Sequence, residues 1–89
     1  MSYRAITVTT TPTVIASYNP RRISLTIVNV GNNDVYISID PQNIIANGFP
    51  IPSGMILTLT REDGDKAEYA FYAQTLTGSS ELRIQEGVV

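Results

Sequence analysis

Cysteine, histidine and tryptophan are all missing from these 89 residues, and lysine occurs once, as Lys66. Without cysteine there can be neither disulfides nor thiolate metal ligands, so stability must come from packing, hydrogen bonds or partner subunits. Losing histidine as well removes the commonest general base and the commonest metal ligand together with the best nucleophile, which argues against an enzyme and against any bound cofactor or metal. Gly-x-Ser-x-Gly elbows, phosphate loops and dinucleotide fingerprints are also absent. Six basic residues against eight acidic ones leave a net charge of −2 and no dense basic patch, so nucleic acid is not an expected partner. No long apolar run is present, and neither a secretory leader, a transmembrane helix nor a membrane partner is expected. Nor do apolar residues recur at helical spacing over three turns.

What is there is period-two alternation in short runs rich in Thr, Val, Ile and Tyr, broken by Gly, Asn, Pro and Asp. The length suits one domain spanning residues 1–89. A domain this small has little stability in reserve and would gain from oligomerisation. Strands are expected over residues 5–10, with Ile6 and Val8 on one face, and over 13–17, with Pro12 between them marking a sheet edge or a change of sheet. The clearest strand covers residues 23–30, with Ile23, Leu25 and Ile27 on one face. A Gly31-Asn32-Asn33-Asp34 hairpin leads into residues 35–39, where Val35, Ile37 and Ile39 point inward and Tyr36 and Ser38 outward.

Residues 40–53 read as a long loop whose Ile44, Ile45, Phe49 and Ile51 either plug one end of the core or face a neighbouring subunit. Further strands are expected over 55–60, over 67–73 with Tyr69 and Phe71 on a buried face, and over 80–86 with Leu82 and Ile84 inward. Seven or eight short strands with no crossover helix specify an all-β, antiparallel, single β-sandwich.

The run Asn19-Pro20-Arg21-Arg22-Ile23-Ser24-Leu25-Thr26-Ile27-Val28-Asn29-Val30-Gly31 with Val35-Tyr36-Ile37, then Asn47-Gly48-Phe49-Pro50-Ile51-Pro52-Ser53-Gly54, then Leu82-Arg83-Ile84-Gln85-Glu86, resembles small phage and archaeal-virus structural proteins. That resemblance implies a jelly-roll-like sandwich that decorates a capsid or builds a spike, fibre or head-tail joint. It implies a trimer or another ring, with itself and a viral capsid protein as partners, located in the virion after assembly in the host cytoplasm. A weaker likeness, carried by Gly48 and Pro52-x-Gly54, is to cupin barrels, whose metal-ligating histidines are missing here.

Three constellations need weighing. Glu62 with Asp63-Gly64-Asp65 offers oxygen ligands to calcium but lacks the ordered Asp-x-Asp-x-Asp-Gly loop, so a solvated turn between two strands is expected there instead of a metal site. Carboxylates such as Asp34, Asp40, Glu62 and Glu68 fall in turns or on solvent faces and make no glycosidase pair. On the outward faces, Val28, Tyr36, Ile56 and Tyr72 are unexpectedly apolar. If they share one sheet they form a subunit interface, and otherwise they line a second core. A carbohydrate- or receptor-binding module, stacking sugars on Tyr18, Tyr36, Tyr69 and Tyr72, is the alternative function.

Overall fold

Alternation of apolar and polar residues builds strands that must bury one face, and here they do so by pairing two sheets. The computed structural model describes residues 2–64 and 66–89. Its strands are β1 (Ser2–Val8), β2 (Thr13–Ala16), β3 (Arg22–Asn29), β4 (Val35–Ser38), β5 (Phe49–Ile51), β6 (Ile56–Thr60), β7 (Phe71–Thr75) and β8 (Ser80–Val88), with one helical turn, α1 (Ile44–Asn47), between β4 and β5. All pairings are antiparallel, giving a first sheet ordered β1-β8-β3-β6 and a second ordered β2-β7-β4-β5. Every connection except β4 to β5 crosses between sheets, which is the strand order of an eight-stranded jelly roll. The all-β sandwich expected from the sequence is the fold observed.

Val8, Ile15, Leu25, Ile27, Val35, Ile37, Ile51, Phe71, Leu82 and Ile84 fill the space between the sheets. Most of the expected inward residues are among them, but the exceptions have clear causes. Ile23 is exposed because a register shift between Arg22 and Ser24 inserts one extra residue opposite β8 and inverts the phase upstream. Arg22 therefore points inward in its place. Tyr69 is exposed because β7 begins only at Phe71, after a turn. Ile39 is exposed because β4 ends at Ser38. The expected 40–53 loop contains α1 and β5. Ile51 enters the core as expected, whereas Ile44 is buried outside the core cluster, where α1 lies against β4 and β7. Phe49 remains 59% exposed.

Two buried polar side chains on β3 pin the loops at opposite ends of the sandwich. Arg22, only 2% exposed, donates to Glu86 Oε1 at 2.6 Å, to the carbonyls of Ala67 at 2.9 Å and Tyr69 at 3.1 Å, and to that of Ser17 at 2.6 Å. Arg4 donates to the same carboxylate and to the Ile15 carbonyl. At the far end Asn29, fully buried, donates to the Asn33 and Ile51 carbonyls, each at 2.8 Å, and accepts from Gly31 N–H at 3.1 Å and Ser80 Oγ at 2.7 Å. Buried polar groups must find partners. Both find partners in neighbouring strands and in the connecting segments, at Ser17, Ala67 and Tyr69 for Arg22 and at Gly31 and Asn33 for Asn29, so the loops are tied down by the central strand.

Candidate interaction surface

With the interior filled by apolar side chains, the hollow polar barrel that a cupin-like pocket needs is not what the two sheets enclose. The best buried candidate for chemistry is Glu86 between Arg4 and Arg22, at the end of β8. Burial pushes its carboxyl pKa up, but the hydrogen bonds and charges of Arg4 and Arg22 outweigh that and hold it below its ordinary value. A carboxylate clamped by two guanidiniums is a poor base, and its role here is to join β1, β3 and β8. Of the calcium candidate, Asp63 accepts from Thr60 Oγ1 at 2.6 Å, while Asp65 lies outside the described residues. No group of three or more acidic side chains converges among the described residues.

The surface carries more information than the interior. The second sheet has part of its outer side occupied by α1, which packs on β4 and β7 and shares a depression with Pro12 and the outward Gln74. Among the described residues, no helix packs on the outer face of the first sheet. Its registers set two rows across the four strands, Tyr3–Gln85–Thr26–Thr58 and Ala5–Arg83–Val28–Ile56. Tyr3, Arg83, Val28 and Gln85 border a shallow depression of about 460 Å³ on this face. Tyr3 is 71% and Ile56 64% exposed, so the face offers apolar contact area among hydroxyls and one Arg83–Glu81 ion pair.

The four residues expected to form one patch do not lie together. Val28 and Ile56 are direct cross-strand partners on the first sheet. Tyr36 and Tyr72 sit diagonally on the second, across the β4–β7 ladder. The condition for one shared patch is therefore not met: the four residues form two pairs on opposite sides of the sandwich, because β3 and β6 belong to one sheet and β4 and β7 to the other.

The tyrosines divide in a similar way. Tyr18 and Tyr69 leave the sheets and sit on the two loops that Arg22 holds, which are joined directly by Asn19 N–H to the Glu68 carbonyl at 2.8 Å.

A third feature was not anticipated from sequence. Between the free edges of β5 and β6 the sandwich is incompletely closed, leaving a groove of about 440 Å³ with Ile37, Phe49, Leu57, Leu59 and Phe71 along it. The alternation of Leu57 and Leu59 was legible, but their position at a sheet margin depends on strand order. Comparison with known proteins adds no relative: no family model, no curated protein and no solved structure matches the chain.

Proposed function

We propose that this protein is a non-catalytic structural component of a virus particle, a capsid-decoration, spike or fibre subunit that works by self-association and by attachment to a capsid protein. The observation that carries the reading is the jelly-roll strand order combined with an uncovered sheet face and an apolar seam. Jelly rolls of eight strands recur in viral capsid and lectin domains, and exposed apolar surface is what a subunit contact uses. In this reading the protein resides in the virion and is assembled in the host cytoplasm.

Co-assembly tests it. The protein is expressed together with the products of the genes flanking its own, and the particles are banded in a density gradient. Co-migration at a fixed stoichiometry is expected. Assembly of particles with this chain left wholly in the soluble fraction refutes the reading.

A second reading rests on Tyr18 and Tyr69. Their loops are fastened to each other and to Arg22, which would present two exposed rings as a stacking platform for a sugar. A glycan array whose binding disappears in Tyr18→Ala and Tyr69→Ala, without loss of fold, selects this reading over the first.

A further inference from the structure

The four free edges of the two sheets are not equally protected against pairing with another chain. The edge strand β1 carries Arg4 pointing inward to Glu86, β2 is four residues long and breaks register between Val14 and Ala16, and β5 is three residues long with Pro50 at its centre. Short length, bulges, proline and inward charge are the usual defences of an edge strand. β6, with the sequence Ile-Leu-Thr-Leu-Thr, has none of them.

Its backbone also faces the right way. The ladder to β3 includes Met55 C=O accepting from Asn29 N–H at 3.0 Å and Arg61 N–H donating to Ile23 C=O at 2.9 Å. Alternation along an antiparallel ladder then directs Leu57 and Leu59 toward β3, and turns the N–H and C=O of Ile56 and Thr58 to the open edge.

We infer that β6 is a self-association edge, pairing antiparallel with β6 of a second copy about a two-fold axis at Leu57. This rests on the self-association in the proposed function and names the contact responsible. In that register Ile56 lies opposite Thr58 of the second copy and the reverse, so the outward N–H and C=O groups of both residues are all used. Leu57 meets its own counterpart, and Met55 meets Leu59, on the side facing the groove that Phe49 borders. The contact is uncharged along its length, and the same patch serves both copies, as a two-fold interface requires. A second copy is favoured over an unrelated strand because this sequence matches itself in this register, whereas the three other edges resist pairing. The result is one continuous sheet of eight strands whose outer rows run across the axis.

Because the chain has no cysteine, single-cysteine variants report the register directly. Opposed residues of a non-hydrogen-bonded pair lie about 4.5 Å apart at Cα, inside the about 4.4–6.8 Å that a disulfide spans. Leu57→Cys is expected to give a covalent dimer on mild oxidation, and Thr58→Cys, which is not opposite itself, is expected to give little. Thr58→Pro removes an N–H that the β3 ladder does not use, so the subunit should keep its circular dichroism and lose at least about tenfold in dimer affinity by light scattering. Should that variant fail to fold, Thr58→Lys, which places charge on the same exposed edge, is expected to do the same. A wild-type oligomer that both edge variants leave intact, or that Leu57→Cys does not cross-link, overturns the edge assignment while leaving self-association standing. A wild type that stays monomeric at every concentration overturns both.

Discussion

Replacing Arg22 with methionine removes the charge and the donors while keeping most of the length of the side chain. Four hydrogen bonds go with it, to Glu86 and to the carbonyls of Ser17, Ala67 and Tyr69. Glu86 keeps Arg4, so the carboxylate is not left wholly unpaired. Breaking a buried ion pair costs about 3–5 kcal/mol, and each buried carbonyl left without a donor adds about 1–3 kcal/mol unless water reaches it. Arg4 and water entering at the loops reduce the sum, so a net loss of about 3–5 kcal/mol is expected, against a total of about 5–15 kcal/mol for an ordinary domain.

In a domain of this size that lowers the melting temperature by about 12–40 °C. Urea titration and thermal melting followed by circular dichroism measure it. The internal control is Arg83→Met, which breaks the exposed Arg83–Glu81 pair and should cost less than about 1 kcal/mol. If the two variants lose similar stability, or if Arg22→Met costs less than about 1 kcal/mol, the assignment of Arg22 as the pin of this end of the sandwich is wrong.

Other outcomes follow from the same geometry. The depressed folded-state pKa of Glu86 means its contribution is complete above the ordinary glutamate value and is lost as pH falls through the lower, folded one. Denaturation midpoints of the wild type should therefore fall more steeply in acid than those of Glu86→Gln, and parallel acid limbs would refute this. At Gly31 an added Cβ would stand 1.9 Å from Ser80 Oγ and 2.6 Å from the Glu81 backbone nitrogen. Gly31→Ala should thus destabilise by about 1–3 kcal/mol, because the backbone contact cannot rotate away, and a neutral result in a urea titration would show that β3 and β8 can separate there. Asn29→Asp turns an acceptor oxygen toward the Asn33 and Ile51 carbonyls, both now at 2.8 Å from a donor. A loss of at least about 3 kcal/mol is expected at neutral pH by the same titration, with partial recovery in acid as the carboxyl regains a proton to donate.

Period-two reading went furthest where strands are regular. Val35 and Ile37, Leu25 and Ile27, and Leu82 and Ile84 are buried as their alternation requires. It failed where one residue breaks the count. The extra residue at Ile23 sends Arg22 inward, and nothing in a single sequence marks a bulge between two arginines and a serine. A four-residue helix is too short for a period to show, and Pro50 hid β5 because proline is tolerated only on an edge strand, which is where β5 lies. One signal was available and unused: continuing the inward phase of Leu82 and Ile84 by one step reaches Glu86, and an inward acid calls for a buried cation.

The surface was less legible than the core for a reason that concerns order, not alternation. Alternation says whether a side chain points in or out of its own sheet, but it does not say which sheet. Val28, Tyr36, Ile56 and Tyr72 were correctly placed outward and still divide between opposite faces, because β3 and β6 belong to one sheet and β4 and β7 to the other. The same limit hides the edge. A strand without proline, charge or bulge is what a protected central strand looks like in sequence, and Ile56–Thr60 reads as one. Only its place beyond β3, with no strand on its other side, turns that unguarded composition into a surface able to pair, which is why the strand order and the β6 variants test one physical claim.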